Sequence, residues 1–177
     1  MKYICLLLLF GLTGNPPAMQ IKPINQGSSI GFTVTNLGID IRGSFSGLEG
    51  DIQFDPKNPA NTTFNVSVDA NTVNTDNGMR DDHLRADTYF DVKKYPRISF
   101  VSTKVESSSQ KGYFTVLGKL RIKNKTKDIS FPFTVEPFNG GYLFKGKFNI
   151  NREDFGVGGY SIISDRVDLS LSVVARK

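Results

Sequence analysis

A mostly β, antiparallel domain that closes on itself is what this 177-residue chain predicts, on three observations. Apolar and polar residues alternate with a period of two from residue 28 almost to the C-terminus, as strands with one dry and one wet face require. The apolar complement is aromatic, with 14 Phe and 6 Tyr but no Trp, and such side chains fit pleated, half-buried surfaces. Turn formers punctuate the alternation: Asp55-Pro56 to Pro59, Ser107 to Gly112, Asn124, and Asn139-Gly140-Gly141. With 38% hydrophobic residues and a net charge of +5, the chain is too apolar and too weakly charged for disorder. Its length suits one domain, and the same arithmetic excludes a coiled coil, a collagen or a multi-span membrane protein.

Residues 1–18 stand apart from that domain. Lys2 precedes an apolar run from Ile4 to Leu12, and Thr13 to Ala18 form a polar, breaker-rich exit. So short a run cannot cross ~30 Å of hydrocarbon as a helix; it reads as a secretory signal peptide ending near Ala18. The folded domain is then expected over residues 20–177, in the periplasm or outside the cell, with no stable membrane insertion. Cys5, the only cysteine, lies in the leader, so the mature chain has no disulfide and depends on its core. Loss of Lys2 takes the charge from +5 to +4, a mild basicity that reads as a solvated face.

The alternating segments follow in order. Ile30, Phe32 and Val34 form the first; Ile39, Ile41, Gly43 and Phe45 the second; Ile52 and Phe54 the third; Phe64, Val66 and Val68 the fourth. Ile98 and Phe100 come next, then Phe114, Val116, Gly118, Leu120 and Ile122. Ile129, Phe131, Phe133 and Val135 precede Phe144, Gly146, Phe148 and Ile150, and Val167, Leu169, Leu171 and Val173 close the series. Alternation marks antiparallel sheet, since parallel strands buried on both faces read as continuous apolar runs. The Asn-Gly-Gly stretch predicts a hairpin. Pro132, on a wet face, predicts an edge position or a bulge. About eight or nine one-sided strands bury their dry faces in a barrel or a two-sheet sandwich.

Residues 74–91 break the period. Thr75 as cap, Asp76 in the first turn, and Met79 and Leu84 facing inward predict one short helix near residues 75–85. Asp87 then starts a turn that returns Tyr89 and Phe90 to the core.

Here the chain resembles a known family. Thr75-x4-Arg80-Asp81-x-His83-Leu84-Arg85, then Tyr89-Phe90-Asp91-Val92 and Tyr95-Pro96-x-Ile98-x-Phe100, are similar to the signature of the YceI-like exported polyisoprenoid-binding proteins. Ser29-Ile30-x-Phe32, Gly43-x-Phe45, Gly50-x-Ile52, Gly118-x-Leu120 and Asn151-Arg152-x-Asp154-Phe155-Gly156 agree in order, over residues 21 to 176. The resemblance implies a lipocalin-like antiparallel barrel that holds a long isoprenoid chain, in periplasmic or secreted proteins.

The residues make their own case for a site. Phe32, Phe45, Phe54, Phe64, Phe100, Phe114, Phe131, Phe133, Phe144 and Phe148 share the inward parity, with no inward charge among them. Each CH₂ moved from water into such a lining is worth ~0.8 kcal/mol. Gly43, Gly118 and Gly146 interrupt the same face. They either clear a channel beside the rings or mark bends needed for closure. A diphosphate or isoprenoid quinone head group would stay at the mouth near Arg80, Arg85 or Lys93; alternatively Arg80, Asp81, Arg85 and Asp87 pair with one another.

For an enzyme, little is present. His83 is the only histidine, no serine lies in a nucleophile motif, and His83 with Asp87 is a thin metal-ligand set. No catalytic residue, metal or cofactor is therefore expected. The rings on the dry face offer no stacking platform for nucleic acid. The expected partner is a long-chain isoprenoid or other lipid, with a homodimer left open. Against a lipid carrier stand a structural or stress-related β-domain filled by its own side chains, and an isoprenoid-modifying enzyme using His83 and Asp81.

Overall fold

The computed structural model describes residues 19–55, 58, 61–159 and 162–177; the leader expected at residues 1–18, with Cys5, lies outside them. Eight strands form a closed antiparallel barrel in sequence order: β1 (Met19–Asn36), β2 (Ile39–Phe54), β3 (Thr63–Asn74), β4 (Arg97–Ser107), β5 (Tyr113–Ile122), β6 (Lys125–Phe138), β7 (Gly141–Asn151) and β8 (Ile163–Arg176). Pairing of β1 with both β2 and β8 completes the ring. One helix, α1 (Gly78–Arg85), lies between β3 and β4, and a 3-10 turn at Glu153–Phe155 between β7 and β8.

The nine alternating segments become eight strands because two of them, at 39–45 and 51–54, belong to β2. Gly47 and Gly50 take φ values of 68° and 126°, open to glycine at little steric cost, and the register with β3 shifts around them. The strand bends there without ending. Arg97 on β4 clamps the bend: its Nη2 donates to the Gly47 carbonyl (2.9 Å) and to Ser67 on β3, and meets Glu49 at 3.3 Å. β1 also begins well before residue 28, at Met19, through an irregularity between Ile24 and Ser29. There the Ser28 hydroxyl donates to the Ile24 carbonyl and accepts from the Val174 amide.

The β6–β7 hairpin forms as expected. Asn139 and Gly140 both have positive φ (46° and 76°), the type I′ geometry that matches strand twist. Within the closed barrel Pro132 holds a local edge position, with no partner on β7. It pairs with Thr115 on β5 and stands one residue before the β6–β7 ladder begins at Phe133–Gly146. At that place Phe131 stacks on Phe148, with centroids 4.1 Å apart.

The helix departs from expectation at its start. Asn77 is the N-cap, its side chain accepting from the Arg80 amide at 3.0 Å. Thr75 is instead buried before the helix, where its amide and hydroxyl donate to Asp81. Met79 faces solvent, 75% exposed, while Leu84 turns toward the barrel interior. Among the described residues no helix is long and apolar enough to cross a membrane.

Candidate functional site

The connections β1–β2, β3–β4, β5–β6 and β7–β8 share one end of the barrel, so α1 and the 3-10 turn form a lid there. The opposite end is a packed base. Phe54, 1% exposed, meets Tyr142, Phe144 and Phe114 at centroid distances of 4.8, 5.4 and 6.4 Å. Phe114 stacks on Phe133, and Phe64 packs edge-on against Phe133 and Phe144.

Between base and lid lies an inner cavity of about 260 Å³. Apolar voids of ~150 Å³ stay dry and admit small hydrocarbons, and a single water needs only ~10–15 Å³. Its walls are apolar almost throughout: Ile30, Phe32, Val34, Phe45, Val66, Phe100, Leu120, Phe148, Leu169, Leu171 and Val173 among others. The lid adds Leu84, Tyr89, Phe90 and Val157. Phe90 meets Phe45 edge-on at 5.3 Å.

Of the ten phenylalanines with inward parity, eight line this cavity: Phe32, Phe45, Phe64, Phe100, Phe131, Phe133, Phe144 and Phe148. Phe54 and Phe114 do not, because they fill the base. The glycines make room for the rings beside them. Gly43 is the cross-strand partner of Phe32, and a Cβ on it would overlap the tip of the Phe32 ring. A Cβ on Gly118 would likewise strike the Phe100 ring and the Val101 carbonyl. Each glycine thus lets a phenyl ring lie against the barrel wall, and Gly118 itself does not reach the cavity. Gly146 does line it, and a Cβ there would stand 3.4 Å from the Phe131 ring. The lumen stays open because rings are laid on its wall.

The lid is fastened by Arg152, 5% exposed. Its guanidinium donates to the carbonyls of Val157 (2.8 Å), Gly159 (2.9 Å), Ile163 (3.2 Å) and Ser164 (3.2 Å), and to Asp165 Oδ1 at 2.8 Å. The Gly158 amide then donates to the Thr88 carbonyl (2.9 Å), joining the two lid segments. Phe155 and Val157 pack with Leu120 and Ile122 beneath.

An outer chamber of about 330 Å³ opens beside α1. Phe32, Val34, Leu84, Tyr89 and Ile163 line both spaces, and Asn36, Ile41, Thr75, Asn77, Met79, Arg80 and His83 complete the outer one. The head-group candidates separate here. Arg80 lines the outer chamber, with Nε donating to Thr75 Oγ1 (2.8 Å) and Nη2 to the Thr75 carbonyl (2.7 Å). Arg85 lines neither space; it bonds the Asn71 and Val73 carbonyls and Asp82, tying α1 to β3. Lys93 is exposed and away from both. The mutual pairing of Arg80, Asp81, Arg85 and Asp87 does not form: Arg85 takes Asp82, and Asp81 takes Thr75. No group of three or more His, Cys, Asp or Glu suited to a metal occurs among the described residues.

Sequence reading missed the aliphatic half of the lining on β8, although Leu169, Leu171 and Val173 carried the same parity as the rings. The turn expected to return Tyr89 and Phe90 to the core does so, but Val157 in the lid was missed.

A family model described as the YceI-like domain matches residues 20–175. The UPF0312 protein of Yersinia enterocolitica is 35% identical over 163 residues, spanning 87% of this chain and 83% of that one. Among solved structures, Burkholderia cenocepacia BcnA superposes with a TM-score of 0.81 at 25% identity, over 86% of this chain and 98% of that one. The Campylobacter jejuni YceI protein gives 0.71 at 26% identity, over 100% and 99%. A polyisoprenoid binding domain from Saccharophagus degradans gives 0.71 at 14% identity, over 91% and 99%, a likeness of fold.

Proposed function

This chain belongs to the family of YceI-like domain proteins, and on that footing we propose that it binds a long-chain isoprenoid or a similar apolar lipid inside its barrel. It acts as a carrier or store, a binding protein rather than an enzyme, in the periplasm or outside the cell. The observation that carries this reading is the apolar cavity of about 260 Å³ between base and lid. A barrel filled by its own side chains would leave only voids near the size of a water. A prenyl unit has five carbons, so burying one is worth roughly 4 kcal/mol at most. A few units supply useful affinity without any directional contact, which suits walls that offer none. The solved polyisoprenoid binding domain that shares this fold supports the same ligand class. The apolar leader at residues 1–18 supports export.

The test is mass spectrometry of an organic extract from the chain purified without detergent from its own host. A prenyl lipid near one equivalent per chain is expected. A clean extract, together with no thermal shift on adding prenyl alcohols, would favour the self-filled barrel instead.

A further inference from the structure

We propose that the rim of the lid end is a membrane-docking surface, where Leu37, Ile39, Met79 and Ile162 enter the face of a lipid bilayer and hold the outer chamber against it. The proposal rests on the lipid reading above and adds the partner from which the barrel takes its ligand.

These are the four most exposed large apolar side chains among the described residues, at 74%, 66%, 75% and 70%, and Val101 follows at 45%. They come from three places far apart in sequence: the β1–β2 hairpin tip, α1 and the segment before β8. All four border the outer chamber. Met79 lines it. Leu37 follows Asn36, a lining residue, and Ile39 pairs with Asn36 and extends the row of Ile41, which also lines the chamber. Ile162 precedes Ile163, which lines both chamber and cavity. Single exposed apolar residues need no explanation, but a group of them at one opening does.

The backbone of Leu37 is a second, independent observation. Its φ is 49° and that of Gly38 is 80°, a type I′ turn whose first position favours Asn, Asp or Gly. At the opposite end of the barrel the β6–β7 hairpin obeys that rule with Asn139–Gly140. At the lid end a bulky side chain holds the left-handed conformation, which is unfavourable for it, and holds it in water. Neither the fold nor its solubility gains from leucine there; contact with an apolar phase does. Strain of this kind collects at functional positions.

The make-up of the patch fits a bilayer better than a protein. None of the four is aromatic, whereas protein interfaces lean on Trp, Tyr and Arg as anchors. Asp40 adjoins Ile39 and Arg80 adjoins Met79 in sequence, so charges of both signs flank the patch and anionic lipid is not required. A protein seated there would stopper the chamber. Bilayer hydrocarbon instead continues the apolar path of Phe32, Val34 and Leu84, which runs from chamber to cavity. Shallow insertion of a few side chains gives reversible binding and not an anchor.

The experiment uses the chain as exported by its own host, with its N-terminus fixed by mass spectrometry, and phosphatidylcholine vesicles with and without geranylgeraniol. Flotation measures docking, and transfer of geranylgeraniol to the chain measures uptake. Wild type should float with plain phosphatidylcholine vesicles. Leu37→Asn should bind them about tenfold more weakly, the effect of withdrawing one aliphatic side chain from an apolar phase, and should extract geranylgeraniol more slowly. Its urea midpoint should rise, because Asn suits the turn. Leu37 lines neither space, so affinity for geranylgeraniol delivered from cyclodextrin should not change. Adding Ile39→Thr should weaken docking further. Vesicle binding that is absent in wild type or unchanged in Leu37→Asn overturns the proposal. So does a wild-type dimer that dissociates in Leu37→Asn, which assigns the patch to a second copy. Docking with no uptake from vesicles or cyclodextrin removes the lipid reading and leaves the docking surface, whereas uptake without docking does the reverse.

Discussion

Arg152 shows how much a single residue can carry. Its guanidinium meets four carbonyls and Asp165 in a site almost sealed from solvent. Deleting it strands the carbonyls, while the half-exposed Asp165 is left to water, and each buried acceptor without a donor costs about 1–3 kcal/mol. Arg152→Ala should therefore lower the urea midpoint sharply, and Arg152→Lys should recover little, because one ammonium cannot reproduce the fork. The residue stands in a family motif, but its role is not legible there. Its partners lie 5 to 13 positions onward, in the connection after β7 and at the start of β8, where no periodicity reports contacts. Gly43 and Phe32 are a clearer case. Both are visible at inward parity, yet which ring lies on which glycine depends on register, fixed only by the β1–β2 pairing. Gly43→Ala should destabilise by roughly 1–3 kcal/mol through overpacking, and Phe32→Leu in the same chain should relieve much of it. Urea denaturation of the double-mutant cycle reads that coupling.

At the scale of elements, period-two alternation locates part of every strand, but it misses residues 19–27 of β1, where the irregularity between Ile24 and Ser29 breaks the period. What alternation cannot show is whether two segments are one strand. Gly47 and Gly50 lie between the segments at 39–45 and 51–54, and Arg97, distant in sequence, holds them as a bend in β2. The helix is legible to within a few residues, but its cap is not. Thr75 and Asn77 are both capping types; the role goes to Asn77 because Asp81 claims the Thr75 hydroxyl. Asn77→Ala should weaken α1 by about 1 kcal/mol. Hydrogen exchange of the first-turn amides, Arg80 and Asp81, should quicken while that of β5 is unchanged.

For the whole molecule, the closed barrel is nearly forced, since eight one-sided strands have few other ways to hide their dry faces. Whether the barrel is hollow is not legible in the sequence. A solid and an open interior use the same inward residues, and the difference lies in ring placement: Phe54 and Phe114 packed into the base, Phe32 and Phe100 laid on the wall. A plug separates lining from stability. Leu169 faces the cavity between Phe32 and Phe148, so Leu169→Trp should leave the β spectrum intact and reduce prenyl-lipid affinity at least tenfold. The most direct measurement is a crystal structure of the chain saturated with geranylgeraniol. Continuous ligand density running from the lid inward past Phe32 and Phe100 is the predicted result; an interior closed by collapsed rings, with lipid absent or only on the outer surface, would contradict it.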